Sequence, residues 1–318
     1  MSNDFSSIDE LFPIRQITET DYPETLRNAK GVPKSLYIRG SLPPTHYKYL
    51  CVVGSRHPSA YGEEVVAKLI AGLAGYPICI VSGLAIGIDG MAHKAALEAG
   101  LPTIAFPGSG LNRNIVYPPS NRSLAWRILE IGLAKQMGNA LISKFQPDWE
   151  MNDKNTWSFP VRNEIMAGFS HATLVIEARE DSGTWSTTDS ALKFGRDVMI
   201  VPGSIFSELS ATPLKLMKDG AHPVASSKDI LIMLGLILPE KDPADSNGET
   251  DENGLFDKFN DPSLSDEERK IVDRVRAPVS RDDLIRELAL PAGYVNSVLV
   301  ELEMKGIVVE RQGQLTVA

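Results

Sequence analysis

Short apolar runs without polar alternation recur through the first two thirds of the chain, each followed by small or turn-forming residues and then by helical spacing. Residues 49–53, 78–81, 103–106, 140–143, 173–177 and 198–201 are the runs of this kind. A strand that is apolar on both sides of its pleat is covered on both faces. Between the runs, Val65, Val66, Leu69, Ile70 and Leu73 share one helical face, and residues 91–99 form a helix-like segment stopped by Gly100. Further helices are expected near 120–131, 159–170, 182–194, 213–220 and from Lys228 onward. Strands alternating with helices predict a doubly wound, Rossmann-like α/β fold with a mostly parallel sheet, over residues 21–238. Leu36, Tyr37 and Ile38 would add an edge strand. Residues 1–20 show no periodicity and read as a flexible N-terminus.

The pattern changes near residue 239. Residues 239–264 are acidic and poor in aliphatic side chains, which predicts a linker. Beyond it, helices are expected over 266–275, 281–288 and 291–305, followed by runs at 307–310 and 314–317 around Gln312 and Gly313. Three helices and a hairpin predict a small winged helix-turn-helix domain over 265–318.

Composition changes this picture in one respect. The net charge of −9 would argue against a nucleic-acid partner if it were spread evenly. It is concentrated between residues 240 and 268, leaving the flanking segments near neutral and free to carry a local basic pocket. No run is long and apolar enough for a transmembrane helix, and the polar start, MSNDFSSIDE, does not resemble a secretory leader. Cys51 and Cys79 fall inside expected strands and lack metal-ligand spacing. A cytoplasmic protein without a membrane partner, metal or cofactor is therefore expected.

The candidate chemistry lies where strands end. Gly54, Ser55 and Arg56 follow one run, and Ser82, Gly83 and Gly87 follow the next. Ser182, Gly183 and Thr184 precede an expected helix, whose N-terminus would suit an anion. Gly83 and Gly87 lack the Cβ atoms that would keep a phosphate from the main chain, and Asp89 can cap the helix after them. Neither a P-loop nor a G-x-G-x-x-G fingerprint is present, so the phosphate's owner stays open. Arg56 has no acidic neighbour in the adjoining sequence, which favours phosphate contact. Arg162 is ambiguous because Glu164 offers a local partner, and Asn163 is open between ligand contact and capping. Tyr117, Trp157 and Phe159 are candidates for stacking on bases or for packing. His93 reads as a hydrogen-bonded packing residue.

In order along the chain, Val53 to Arg56, Ser82 to Ala85 with Gly87 to Asp89 and Ala92-His93, Tyr117-Pro118, Phe159-Pro160 with Arg162-Asn163, Glu177-Ala178, Ser182-Gly183, Gly195 to Val198, Val201 to Gly203 and Gly220-Ala221 resemble the DprA/Smf family of DNA-processing proteins. The resemblance implies a Rossmann-like domain that binds single-stranded DNA, forms a homodimer and loads a RecA-type recombinase during natural transformation, without catalysis. The expected DNA-binding set is Gly54, Ser55, Arg56, Ser82, Gly83, Gly87, Tyr117, Lys144, Phe159, Arg162, Asn163, Ser182, Gly183 and Thr184. Lys144, Glu164, Trp185, Thr212 and Leu214 depart from the family pattern. The alternative is a nucleotide-processing hydrolase of the related phosphoribohydrolase-like fold. Its loop carries a catalytic Glu, whereas here Asp189 is the first acid after Ser182, Gly183 and Thr184. The first half of the third helix of the winged domain has no Lys or Arg, which favours a protein-contact role over duplex reading.

Overall fold

In the computed structural model the apolar runs pair side by side as β3 (Lys48–Val53), β4 (Ile78–Ser82), β5 (Thr103–Ala105), β6 (Ala140–Ser143), β7 (Ala172–Val175) and β8 (Asp197–Ile200), all parallel. The structure describes residues 6–180, 182–238, 266–275, 279–288, 292–304, 308–311 and 314–317. They fall into two units, Met1–Pro239 and Glu240–Ala318. The expected linker and the Gln312-Gly313 turn lie outside the described residues.

The unbroken apolar runs hide an alternation that only the two covered faces reveal. Tyr49, Cys51 and Val53 point into one core with Cys79, Val81 and Ile104, while Leu50 and Val52 point into the other with Ile78 and Ile80. On the second face lie α3 (Ala60–Ala71), α4 (Ile88–Glu98) and α9 (Ser227–Met233), which contribute Val66, Ile70, Ala92, Ala96 and Ile230, with α5 (Arg122–Ala134) beside them. On the first lie α2 (Glu24–Arg27), α6 (Ser158–Phe169), α7 (Thr184–Lys193) and α8 (Ala211–Lys218). Each strand buries both faces, so the pattern in sequence is continuous rather than alternating.

The N-terminal segment departs from expectation. After α1 (Ser6–Leu11), β1 (Arg15–Thr18) pairs antiparallel with β2 (Ser35–Gly40), and β2 pairs antiparallel with β6. Residues 1–20 are thus not a flexible tail throughout, and Leu36 to Ile38 are interior rather than at the edge. Four residues with Ile17 alone buried are too few to display a period. Buried Arg39 secures the segment, donating to the Phe12 carbonyl at 2.8 Å and pairing with Asp9 at 2.6 Å. With β9 (His222–Pro223) the sheet has nine strands in the order β1-β2-β6-β5-β4-β3-β7-β8-β9.

In the second unit, α10 (Asp266–Arg274), α11 (Arg281–Leu288) and α12 (Ala292–Met304) enclose Ile271, Val275, Leu284, Val295, Leu299 and Leu302. A sheet in the order β10 (Val279–Ser280), β12 (Gln314–Val317), β11 (Val308–Arg311) closes that core with Val308 and Leu315. This is a winged helix. Ser280 caps α11 by accepting from the Asp283 N–H at 3.2 Å.

Candidate functional site

Strands β3 and β7 are neighbours, yet the chain leaves them in opposite directions: through α3 to β4 on one side and through α7 to β8 on the other. Loops diverging from adjacent strand ends leave a crevice between them. It measures about 790 Å³. Gly54, Ser55, Arg56 and His57 form one wall and Arg179, Glu180, Ser182, Gly183 and Thr184 the other, with Asp89, Phe159, Arg162 and Asn163 between.

The Arg56 loop is held from beneath. Glu177, buried just past β7, accepts from the Ser59 N–H at 2.8 Å and the Ser59 hydroxyl at 2.6 Å. Ser59 in turn caps α3, accepting from the Gly62 N–H at 3.3 Å. A Cβ on Gly54 would lie 2.7 Å from Ile88, and the Ile88 N–H donates to the Ser55 carbonyl at 3.1 Å. The result is a fixed turn from which exposed Arg56 reaches over the Phe159 ring, 5.3 Å from its centroid. Among the described residues no carboxylate lies within ion-pair distance of Arg56, although buried Asp89 is near enough to feel its charge.

Arg162 is used differently from the ligand contact considered for it. Its guanidinium is buried, donates to the Gly83 carbonyl and, at 2.5 Å, to the Phe106 carbonyl, and gives Nε–H to Asn163 at 2.8 Å. It makes no pair with exposed Glu164 among the described residues. Asn163 passes the connection on, donating to the Gly183 carbonyl at 3.2 Å and to Ser186 at 2.7 Å. One side-chain pair thus ties the ends of β4 and β5 to the start of α7. Burial lowers the Arg162 pKa, while the nearby Asp89 charge opposes the shift.

Gly83 and Gly87 also differ from expectation. The space a Gly83 Cβ would need is filled by the Arg162 guanidinium, and that beside Gly87 by the carbonyl of Ser55 and the backbone of Arg56. Gly87, at φ +78°, is the residue that lets the two loops dock. These glycines make room for protein rather than for phosphate, and neither lines the crevice. Asp89 does not cap α4, because Gly87 occupies that position. Its buried carboxylate accepts from the Gly83 N–H at 3.1 Å. Burial raises the Asp89 pKa, and Arg162 and the Ala85 and Gly83 amides pull it back.

Ser82, Tyr117 and Lys144 do not line the crevice either. The Ser82 hydroxyl is buried and donates to the Val52 carbonyl at 2.6 Å. Tyr117 stands next to Phe159, ring centroids 5.9 Å apart. Lys144 is exposed beyond the end of β6, two strands removed from β4 in the sheet order. His93 is a packing residue: Thr103 donates to the Ile80 carbonyl at 2.8 Å, so His93 Nδ1–H donates to Thr103 at 2.7 Å. Glu177 and Asn121 are structural residues whose roles were not assigned from sequence. Asn121 donates to the Leu84 and Ala85 carbonyls at 2.9 and 3.0 Å, bracing a turn in which Leu84 has φ +59°. A carboxylate at a strand end was the visible signal for Glu177; for Asn121 there was none.

Residues 14–235 match the family described as DNA recombination-mediator protein A, and residues 258–314 match the DprA winged helix domain. The chain belongs to the DNA recombination-mediator protein A family. It is 35% identical to the DNA processing protein DprA of Bacillus subtilis over 67% of this chain and 68% of that protein. It is 35% identical to Protein Smf of Escherichia coli over 93% of this chain and 72% of that one. The solved DNA processing protein A of Streptococcus pneumoniae superposes with a TM-score of 0.58 at 34% identity, covering 72% of this chain and 77% of that structure. The Helicobacter pylori counterpart, solved to show its single-stranded DNA binding mode, gives a TM-score of 0.58 at 22% identity, covering 70% of this chain and 96% of that structure. The family is one of DNA processing, and among the described residues no helix is long and apolar enough to cross a membrane.

Proposed function

We propose that the crevice between β3 and β7 binds single-stranded DNA and that the chain, without catalysis, protects incoming strands and passes them to a RecA-type recombinase in transformation and recombination. A cytoplasmic homodimer is the form in which it acts. The observation that carries the reading is Arg56, a cation held on a fixed turn against an aromatic ring, with no carboxylate partner among the described residues. That arrangement offers a phosphate contact and a stacking surface within one side chain's reach of each other, which is the chemistry of single-strand recognition. The start of α7 adds the positive end of a helix dipole beside Ser182, Gly183 and Thr184 on the opposite wall. Membership in a recombination-mediator family and the single-strand binding of the Helicobacter pylori relative support the same assignment.

Buried Asp89 keeps a second reading in view, since an acid whose pKa is raised in a crevice suits a nucleotide hydrolase. Its carboxylate is already engaged by the Gly83 N–H, and Asp189, the acid nearest the place expected of that enzyme's Glu, pairs with Lys193 at 2.6 Å instead.

Titrating fluorescent oligo-dT and a matching duplex at two salt concentrations tests the assignment. The wild type is expected to prefer the single strand, and Arg56→Ala is expected to lower the salt slope by about 0.7, the contribution of one phosphate contact. Equal affinity of the two proteins for oligo-dT would remove DNA from the crevice. Release of a base from nucleoside monophosphates would establish the hydrolase.

A further inference from the structure

We propose that Trp157 is a nucleobase-stacking platform that continues the crevice beyond Phe159 and receives the next unpaired bases of the strand. The inference rests on the reading of the crevice as a single-strand site. Trp157 is 55% exposed, unusual for so large an apolar side chain, yet its position is fixed from below. It meets Phe145 and Trp149 edge-on, with centroids 5.8 and 5.7 Å away, and those two rings stack on each other at 4.3 Å.

The segment carrying these rings is secured to the sheet. The Gly110 N–H donates to the Trp149 carbonyl at 2.8 Å and the Asn112 N–H to the Pro147 carbonyl at 2.8 Å. Tyr37 donates to the Gln146 side chain at 2.7 Å. An aromatic ring that is exposed but already ordered loses little entropy when a flat ligand stacks on it.

Continuity with the crevice identifies the occupant. Trp157 precedes Phe159 by two residues at the start of α6, and Phe159 lies beneath Arg56 with Tyr117 at its side. Phe159 packs against Gly108 past the end of β5 and the Trp149 carbonyl is bonded by the Gly110 N–H two residues on, so the two rings stand along the same strand-end edge of the sheet. Lys144 and Lys154 in this segment are outnumbered by Asp148, Glu150 and Asp153, so it has no basic surface to draw phosphates. The platform therefore contributes stacking, while Arg56 supplies the charge. These two contributions separate experimentally, because stacking tolerates salt and phosphate contact does not.

The full chain, as wild type, Trp157→Ala, Trp157→Phe and Arg56→Ala, is titrated with oligo-dT of about 4 and about 12 nucleotides at two salt concentrations, after thermal melts show that each variant folds. Trp157→Ala is expected to weaken the longer strand about tenfold, leave the shorter one unchanged and keep the wild-type salt slope, with Trp157→Phe restoring most of the loss. Wild-type affinity of Trp157→Ala for the longer strand overturns the proposal. So does an equal loss for both lengths, which would mean that Trp157 acts by positioning Phe159, and so does an altered salt slope. If Arg56→Ala still loses the shorter strand in these cases, the crevice assignment stands and the platform alone fails. If the wild type binds neither strand, both fail together.

Discussion

Two regions of this chain have the outline of a DNA-binding site, and they differ in what their arginines are doing. In the crevice between β3 and β7, Arg56 rests on the Phe159 ring with no carboxylate partner among the described residues, and buried Arg162 spends its donors on main-chain carbonyls. In the winged helix the arginines whose side chains are described are bound to acids. Arg281 reaches Glu310 at 2.5 Å and Asn296 at 3.2 Å, Arg274 is paired with Glu287, and Arg286 meets Asp283 at 3.1 Å. The exposed start of α12 offers Gly293, Tyr294 and Ser297 but no cation. The winged helix thus has a fold associated with DNA but paired arginines, while the crevice has an arginine outside any ion pair among the described residues. What distinguishes the described arginines of the two regions is whether an acid holds them, rather than how many there are.

The comparison can be broken most severely by removing the packing that frees Arg56 from structural duty. Gly83→Ala places a methyl where the Arg162 guanidinium sits, and is expected to cost the first unit about 3 kcal/mol in a urea melt. The winged helix should unfold at its wild-type midpoint in the same variant.

Acid should also separate the two regions. Burial lowers the His93 pKa from 6.5 to about 3, so the unfolded chain takes up this proton well before the native one does. Stability from this site is complete above pH 6.5 and is lost as pH falls toward 3. Lowering pH to about 5 should cost the first unit about 2 kcal/mol, and His93→Gln should flatten that slope. In the winged helix the Arg274 hydrogen bond lowers the Glu287 pKa, so its stabilisation begins to fall only as pH enters the ordinary carboxylate range and is lost below it. A monitored melt across pH distinguishes the two.

At the ligand, Arg56→Ala should weaken oligo-dT about tenfold at low salt, or about 1.4 kcal/mol. The smallest effect is expected from Arg281→Ala, which should change oligo-dT affinity by less than about 0.5 kcal/mol, because its guanidinium is already committed to Glu310. A larger loss from Arg281→Ala than from Arg56→Ala, read by fluorescence anisotropy, would reverse the comparison.

Much of this architecture was legible in the chain itself. The buried strands, the glycine turns at their ends and the winged helix each follow from short-range pattern. Legibility failed where one residue answers to a distant one. Four residues around Ile17 carry no period, so β1 emerges only through its pairing with β2. Gly83 and Gly87 were visible as loop glycines, but the atoms that need their space belong to Arg162, Ser55 and Arg56. Arg162 read as ambiguous because Glu164 offered a partner, but it does not take that partner and gives its donors to Gly83, Phe106 and Asn163 instead.

The amino-acid sequence by itself determined the layers, the strand ends where a ligand would sit and the family pattern, because periodicity, turn chemistry and capping act over a few residues. Tertiary structure alone decided which arginine faces solvent and which is consumed. That choice depends on carbonyls at Gly83 and Phe106 and on the carboxylate of Glu177, brought together across the sheet from residues far apart in the chain. Desolvation and hydrogen-bond geometry are properties of that assembled surrounding, and no stretch of the chain carries them alone.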